Sequence, residues 1–163
     1  MEFKLFSISK FGFFFPRYEI EHDGRPVFSV KRKGLLGRYV FIDTLGYEYM
    51  LIKRRPSLFR IQFELTVQGL HKAYIRQVRK KPFKNNYEII GTDHEYYADS
   101  GFMMKSVTIL EGKEEVAKIS RKPLNKKDRY GIAMVADADE DLILAFSICI
   151  ELIRKIKRAR SAS

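Results

Sequence analysis

The stretch that decides the fold is Asp139-Glu140-Asp141-Leu142-Ile143-Leu144-Ala145-Phe146-Ser147-Ile148-Cys149-Ile150-Glu151-Leu152-Ile153-Arg154-Lys155-Ile156-Lys157-Arg158-Ala159-Arg160. It has no glycine or proline. Asp137 and Glu140 have capping-box spacing. Asp139, Glu140 and Asp141 place negative charge where a helix begins, and Arg154, Lys155, Lys157 and Arg158 place positive charge where it ends. A helix is predicted over about residues 138–159. Its apolar residues, Leu142 to Phe146, Ile148 to Ile150, Leu152 and Ile153, cover every side instead of forming one stripe, so the helix must be buried all round. The uncharged run from Leu142 to Ile150 falls well short of the roughly 20 residues that cross a bilayer. No transmembrane segment is expected, and what surrounds the helix must be the rest of the chain.

That remainder reads as β-structure. Turn signals recur at Asp23-Gly24, Lys33-Gly34, Leu45-Gly46, Pro56, Gly69, Pro82, Gly91, Gly101, Gly112 and Pro123, a spacing that suggests hairpins in a sandwich or barrel. The clearest strand is Leu58 to Leu65, where Phe59, Ile61, Phe63 and Leu65 face one way and Leu58, Arg60, Gln62 and Glu64 the other. About twelve strands are predicted. They are Phe3–Ile8, Tyr18–His22, Val27–Arg32, Tyr39–Asp43, Tyr47–Lys53, Leu58–Leu65, Ala73–Arg79, Tyr87–Ile90, Glu95–Ala98, Met104–Leu110, Glu115–Arg121 and Arg129–Val135.

A repeat supports the hairpin reading. Ile52-Lys53-Arg54-Arg55-Pro56, Val78-Arg79-Lys80-Lys81-Pro82 and Ile119-Ser120-Arg121-Lys122-Pro123 share one pattern, and each precedes an aromatic-x-Ile start: Phe59-Arg60-Ile61, Tyr87-Glu88-Ile89 and Tyr130-Gly131-Ile132. Eight strands already enclose a space that their own side chains fill. A barrel of about twelve is wider, and a helix about 10 to 12 Å across would plug it. The expected fold is mainly β: an antiparallel closed barrel around a central C-terminal helix, formed by residues 1–163 as one domain.

Order and spacing of short motifs give a resemblance. They are Tyr18-Glu19-Ile20 with Asp23-Gly24-Arg25-Pro26-Val27-Phe28, Ile42-Asp43-Thr44-Leu45-Gly46, Ala117-Lys118-Ile119-Ser120-Arg121-Lys122, Tyr130-Gly131-Ile132, and the apolar helix from Leu142 to Ile153. Together they resemble the tubby C-terminal-like superfamily, in particular its LURP-one-related branch, which also includes the phospholipid scramblases. The resemblance implies a twelve-stranded barrel around a central helix. Tubby-like domains bind membrane phosphoinositides through basic residues on the barrel surface, so it also implies an anionic lipid as partner. The scramblases' cysteine-rich and proline-rich segments have no counterpart in this sequence.

Nothing in the sequence reads as an active site. His22, His71 and His94 lack metal-ligand spacing, and the neighbours in Asp93-His94-Glu95 point apart on a turn. Cys149, the only cysteine, sits within the apolar helix, where a buried thiol is inert. Phosphate-binding and nucleophile-elbow motifs are missing. No catalytic residue, metal or cofactor is predicted. A lone thiol and the lack of a signal-peptide pattern suit a cytoplasmic protein, expected to be a monomer.

Charge is the remaining signal. Against 20 Asp and Glu stand 31 Lys and Arg, a net charge of +11, which favours polyanionic partners. The basic residues cluster at strand ends: Lys31 and Arg32; Lys53, Arg54 and Arg55; Arg79, Lys80 and Lys81; Arg121 and Lys122. If the proline turns share one rim, these ten form a headgroup-binding surface, and the protein is a non-enzymatic module at the inner face of a membrane. Nucleic acid is less favoured, because the clusters lack the interleaved aromatics of a stacking platform. A structural or protein-interaction barrel with no ligand is the other alternative.

Overall fold

Tight turns set the architecture. The Asp23-Gly24 and Gln68-Gly69 hairpins use two residues each, with positive φ at all four (52°, 76°, 50° and 81°). That backbone twist matches the twist of the strands it joins. Asp23 and Gln68 adopt a region that non-glycine residues visit rarely.

The structure is a computed structural model and describes residues 2–12, 16–34, 37–57, 60–78, 85–100, 106–121 and 129–161. These form β1 (Phe3–Phe11), β2 (Arg17–His22), β3 (Arg25–Lys33), β4 (Arg38–Ile42), β5 (Glu48–Arg55), β6 (Gln62–Val67), β7 (Leu70–Val78), β8 (Asn85–Gly91), β9 (Glu95–Ser100), β10 (Ser106–Glu111), β11 (Glu114–Arg121), β12 (Arg129–Val135) and α1 (Glu140–Ser161). Each strand pairs antiparallel with its sequence neighbours, and β1 pairs with β12 (Phe3↔Val135, Phe6↔Ile132, Ser9↔Arg129), which closes a barrel. Four of the hairpins, β2–β3, β4–β5, β6–β7 and β10–β11, shift register by a bulge near the turn, which sharpens the local twist.

The barrel is filled by its helix. Every residue from Leu142 to Ile150 is buried, as are Leu152 and Ile153, so the all-round apolar surface meets protein on every side. Its partners are the alternate, inward side chains of the strands: Ile8, Ile20, Phe41, Met50, Ile52, Leu65, Ile75, Ile89 and Ile109 are almost wholly buried. The one polar side chain in the buried run, Ser147, donates to the Ile143 carbonyl at 2.8 Å, satisfying its hydroxyl within the helix. Burial pushes the Cys149 thiol far above its ordinary range, so it stays protonated.

Most strand bounds shift by one to three residues from expectation, and two differences matter more. The sixth strand starts at Gln62, not Leu58. Leu58 and Phe59 lie outside the described residues, and Ile61 keeps its inward place before the strand, its carbonyl accepting from the Gln77 N–H at 3.0 Å. The helix runs from Glu140 to Ser161, two residues later at each end than 138–159. Its cap is Asp139 instead of a box from Asp137: Oδ1 of Asp139 accepts from the Leu142 N–H at 3.3 Å.

Candidate functional site

Topology decides where the basic runs go. Neighbouring strands run in opposite directions all the way round, so all odd-numbered strands end on one rim. The Lys31-Arg32 end of β3, the Lys53-Arg54-Arg55 end of β5 and the Arg121 end of β11 therefore lie on that rim. The helix follows β12, enters at the opposite rim and leaves here, bringing Lys155, Lys157 and Arg158 to the same end. Arg17, Arg38 and Arg129 begin even strands and sit here too.

The far rim carries the opposite charge. Asp23, Asp43, Asp93, Glu111 and Glu114 flank its hairpins, and Asp137, Asp139, Glu140 and Asp141 surround the helix entry. A hollow of about 670 Å³ opens there, lined by Glu2, Glu111, Glu114, Glu115 and Asp137 with His94. His94 pairs with Glu111 at 2.7 Å. The net positive charge of the chain is thus polarised along the barrel axis.

Strand periodicity splits each basic run. Arg32 lies two residues beyond buried Val30 and opposite buried Tyr39, and Arg54 lies two beyond buried Ile52 and opposite buried Phe63. Both point to the mouth of the barrel. Lys31, opposite Val40, and Lys53, opposite Glu64, face the outer wall. So does Arg55, which is paired with Glu64, the interaction that holds its guanidinium above the ordinary range. Arg121 is also at the mouth, its guanidinium 5.9 Å from the centre of the Tyr130 ring, but β2, β1 and β12 separate it from β3. Arg79, Lys80, Lys81 and Lys122 lie outside the described residues. Of the ten candidates, then, Arg32 and Arg54 come together, Lys31, Lys53 and Arg55 stand on the adjoining wall, and Arg121 lies apart across the mouth.

Arg32 and Arg54 edge a cleft of about 260 Å³ with Lys155 of the helix. Its apolar surface is supplied by Tyr39, Phe63, Leu152, Ile156 and Ala159. Gly37 fixes one side: its φ is +67°, an ideal Cβ there would lie 3.4 Å from the Arg54 Cβ, and its carbonyl accepts the Arg54 N–H at 3.1 Å. Burial raises the Tyr39 hydroxyl above its ordinary range, and the Arg32 charge opposes that rise. The Nε–H groups of Arg38 and Arg129 are buried with no hydrogen-bond partner among the described residues. Deeper in, the Tyr130 hydroxyl donates to Glu151, and Arg154 donates to the Tyr130 oxygen at 2.9 Å. This network ends the apolar stretch of the helix where it meets the mouth.

The sequence reading missed Gly37, Lys155 and the aromatic lining. Positions two beyond Val30 and Ile52 were the available signal for Arg32 and Arg54; Lys155 had none, because only closure of the barrel brings it near them.

A family model described as LURP-one-related matches residues 4–151. The chain belongs to the LURP-one-related family. Its fold is also that of a crystal structure from Arabidopsis thaliana, similar over 92% of this chain and 91% of that one at a TM-score of 0.64 and 16% sequence identity. No curated protein matches the sequence. Within the described residues of this family member, no helix is long and apolar enough to cross a membrane.

Proposed function

We propose that this LURP-one-related barrel is a non-enzymatic module that binds acidic phospholipid headgroups through its basic rim, peripherally at the inner face of a membrane. The observation that carries the reading is the charge polarity: cations at the ends of β3, β5 and β11 and at the helix C-terminus, carboxylates at the far rim. Such a molecule approaches an anionic surface with one end first. Each Lys or Arg close to an anionic leaflet contributes about 1 kcal/mol. Four acting together give about 4 kcal/mol, a millimolar affinity that makes attachment reversible. The family's tubby-like fold is in keeping with a lipid-binding barrel.

Sedimentation with vesicles of graded phosphatidylserine or phosphoinositide content tests this. Binding rises with anionic content and falls as salt screens the rim over about 8 to 10 Å. Double-stranded DNA in the same buffer is the control, and equal binding to both would reduce the effect to general basicity.

A further inference from the structure

The cleft between Arg32, Arg54 and Lys155 is more than a patch of charge. Its lining joins three cationic side chains to carbon: Phe63 and Tyr39 from the strands, and Leu152, Ile156 and Ala159 from the helix. A free headgroup uses only the cations. An alkyl chain alone uses only the carbon.

We propose that the cleft binds one single-chain amphiphile with a phosphate head, the phosphate against Arg32, Arg54 and Lys155 and the first part of the alkyl chain along Phe63, Leu152 and Ile156. This deepens the headgroup-binding reading of the same rim and rests on it. Two considerations select the ligand. A phosphate monoester carries about −1.5 to −2 at neutral pH, enough for several cations, and guanidinium groups match its oxygens two at a time. The cleft volume of about 260 Å³ limits the ligand to one short alkyl chain beside its head.

The test is calorimetric titration of the full chain with alkyl phosphates of six to fourteen carbons, each below its micelle concentration, beside inorganic phosphate and dodecyltrimethylammonium. The expected result is one site, an affinity that rises about fourfold per methylene and levels off within the series once the chain outgrows the cleft. Inorganic phosphate should bind at least a hundredfold more weakly than decyl phosphate. Ala159→Trp, which fills the cleft from an exposed position, and Arg54→Gln should each weaken decyl phosphate at least tenfold, with circular dichroism melts confirming that both are folded. An affinity independent of chain length, equal binding of the cationic amphiphile, or unchanged affinity in both variants would overturn the proposal. Sedimentation of the native chain with anionic vesicles separates the two readings. If it sediments while alkyl phosphates bind no better than inorganic phosphate, the cleft proposal falls and the rim reading stands; if it binds neither, both fall.

Discussion

The Lys72 ammonium lies 3.1 Å from Oδ2 of Asp139, while Oδ1 of the same carboxylate caps the helix at the Leu142 N–H. One side chain thus ties β7 to the helix and satisfies the first turn. Asp139→Ala removes a cap worth about 1 kcal/mol and takes the nearest carboxylate from a half-buried lysine that keeps Asp93 at 4.0 Å, a combined cost of about 1 to 2 kcal/mol. Asp139→Asn keeps the cap and loses only the charge, so urea denaturation should rank it between the native protein and the alanine variant.

Asp141, in the same turn, gives a pH signature. Burial raises its carboxyl above the ordinary range, the charges of Asp139 and Glu140 add to the rise, and the hydrogen bond from Tyr49 at 2.9 Å and the charge of Lys72 oppose it. The folded state therefore holds this proton more tightly than the unfolded chain does. Below the unfolded value of about 3.9 both states are protonated and the group contributes nothing. As pH rises through the raised folded value, a deficit develops and then stays constant. Asp141→Asn keeps an acceptor for Tyr49 and removes the titration, so its stability relative to the native protein should improve between pH 4 and pH 7. A difference that does not change with pH would contradict this.

Gly91 is held by space, not by its φ. An ideal Cβ there would lie 2.8 Å from Leu142 Cδ1 and 2.9 Å from the His94 carbonyl oxygen. That carbonyl accepts the Gly91 N–H at 2.8 Å, so it cannot withdraw without losing the turn. Gly91→Ala should cost about 1 to 3 kcal/mol by overpacking, read as a lowered melting temperature.

Tyr87 is a polar misfit in the core. It is fully buried, its ring 5.7 Å from that of Phe146 between centroids, and its hydroxyl has no hydrogen-bond partner among the described residues. Tyr87→Phe should be neutral or stabilising by about 1 kcal/mol. Phe146→Ala should cost about 3 to 5 kcal/mol out of a typical total of 5 to 15, and Phe146→Asp should unfold the chain. A soluble Phe146→Asp variant with an unchanged melt would show that the helix is not the barrel's core.

Legibility followed periodicity. The helix was readable because apolar residues on all sides leave it no place but an interior, and the strands because Ile61, Phe63 and Leu65 alternate with Gln62 and Glu64. The rim was half readable. Lys53-Arg54-Arg55 looks like one cluster in sequence, yet consecutive strand residues face opposite ways, so Arg54 enters the mouth while Arg55 pairs with Glu64 on the wall. The cleft was not readable, because Arg32 and Lys155 meet only after the barrel closes. At the helix end Lys157 is half-buried, and burial lowers its ammonium below the ordinary range, while Arg158 and Ala159 are exposed.

The most direct test of the account compares two variants that lose the same charge from opposite ends of the barrel. Lys53→Gln with Arg54→Gln empties part of the basic rim, and Arg25→Gln with Lys113→Gln removes two cations from the acidic one. Exposed charges contribute little to stability, so both should melt like the native protein. In vesicle sedimentation at physiological salt, the first pair should weaken binding about tenfold or more, at about 1 kcal/mol per charge, and the second should bind like the native protein. Equal losses from the two ends would contradict the account, since binding would then follow net charge instead of the rim.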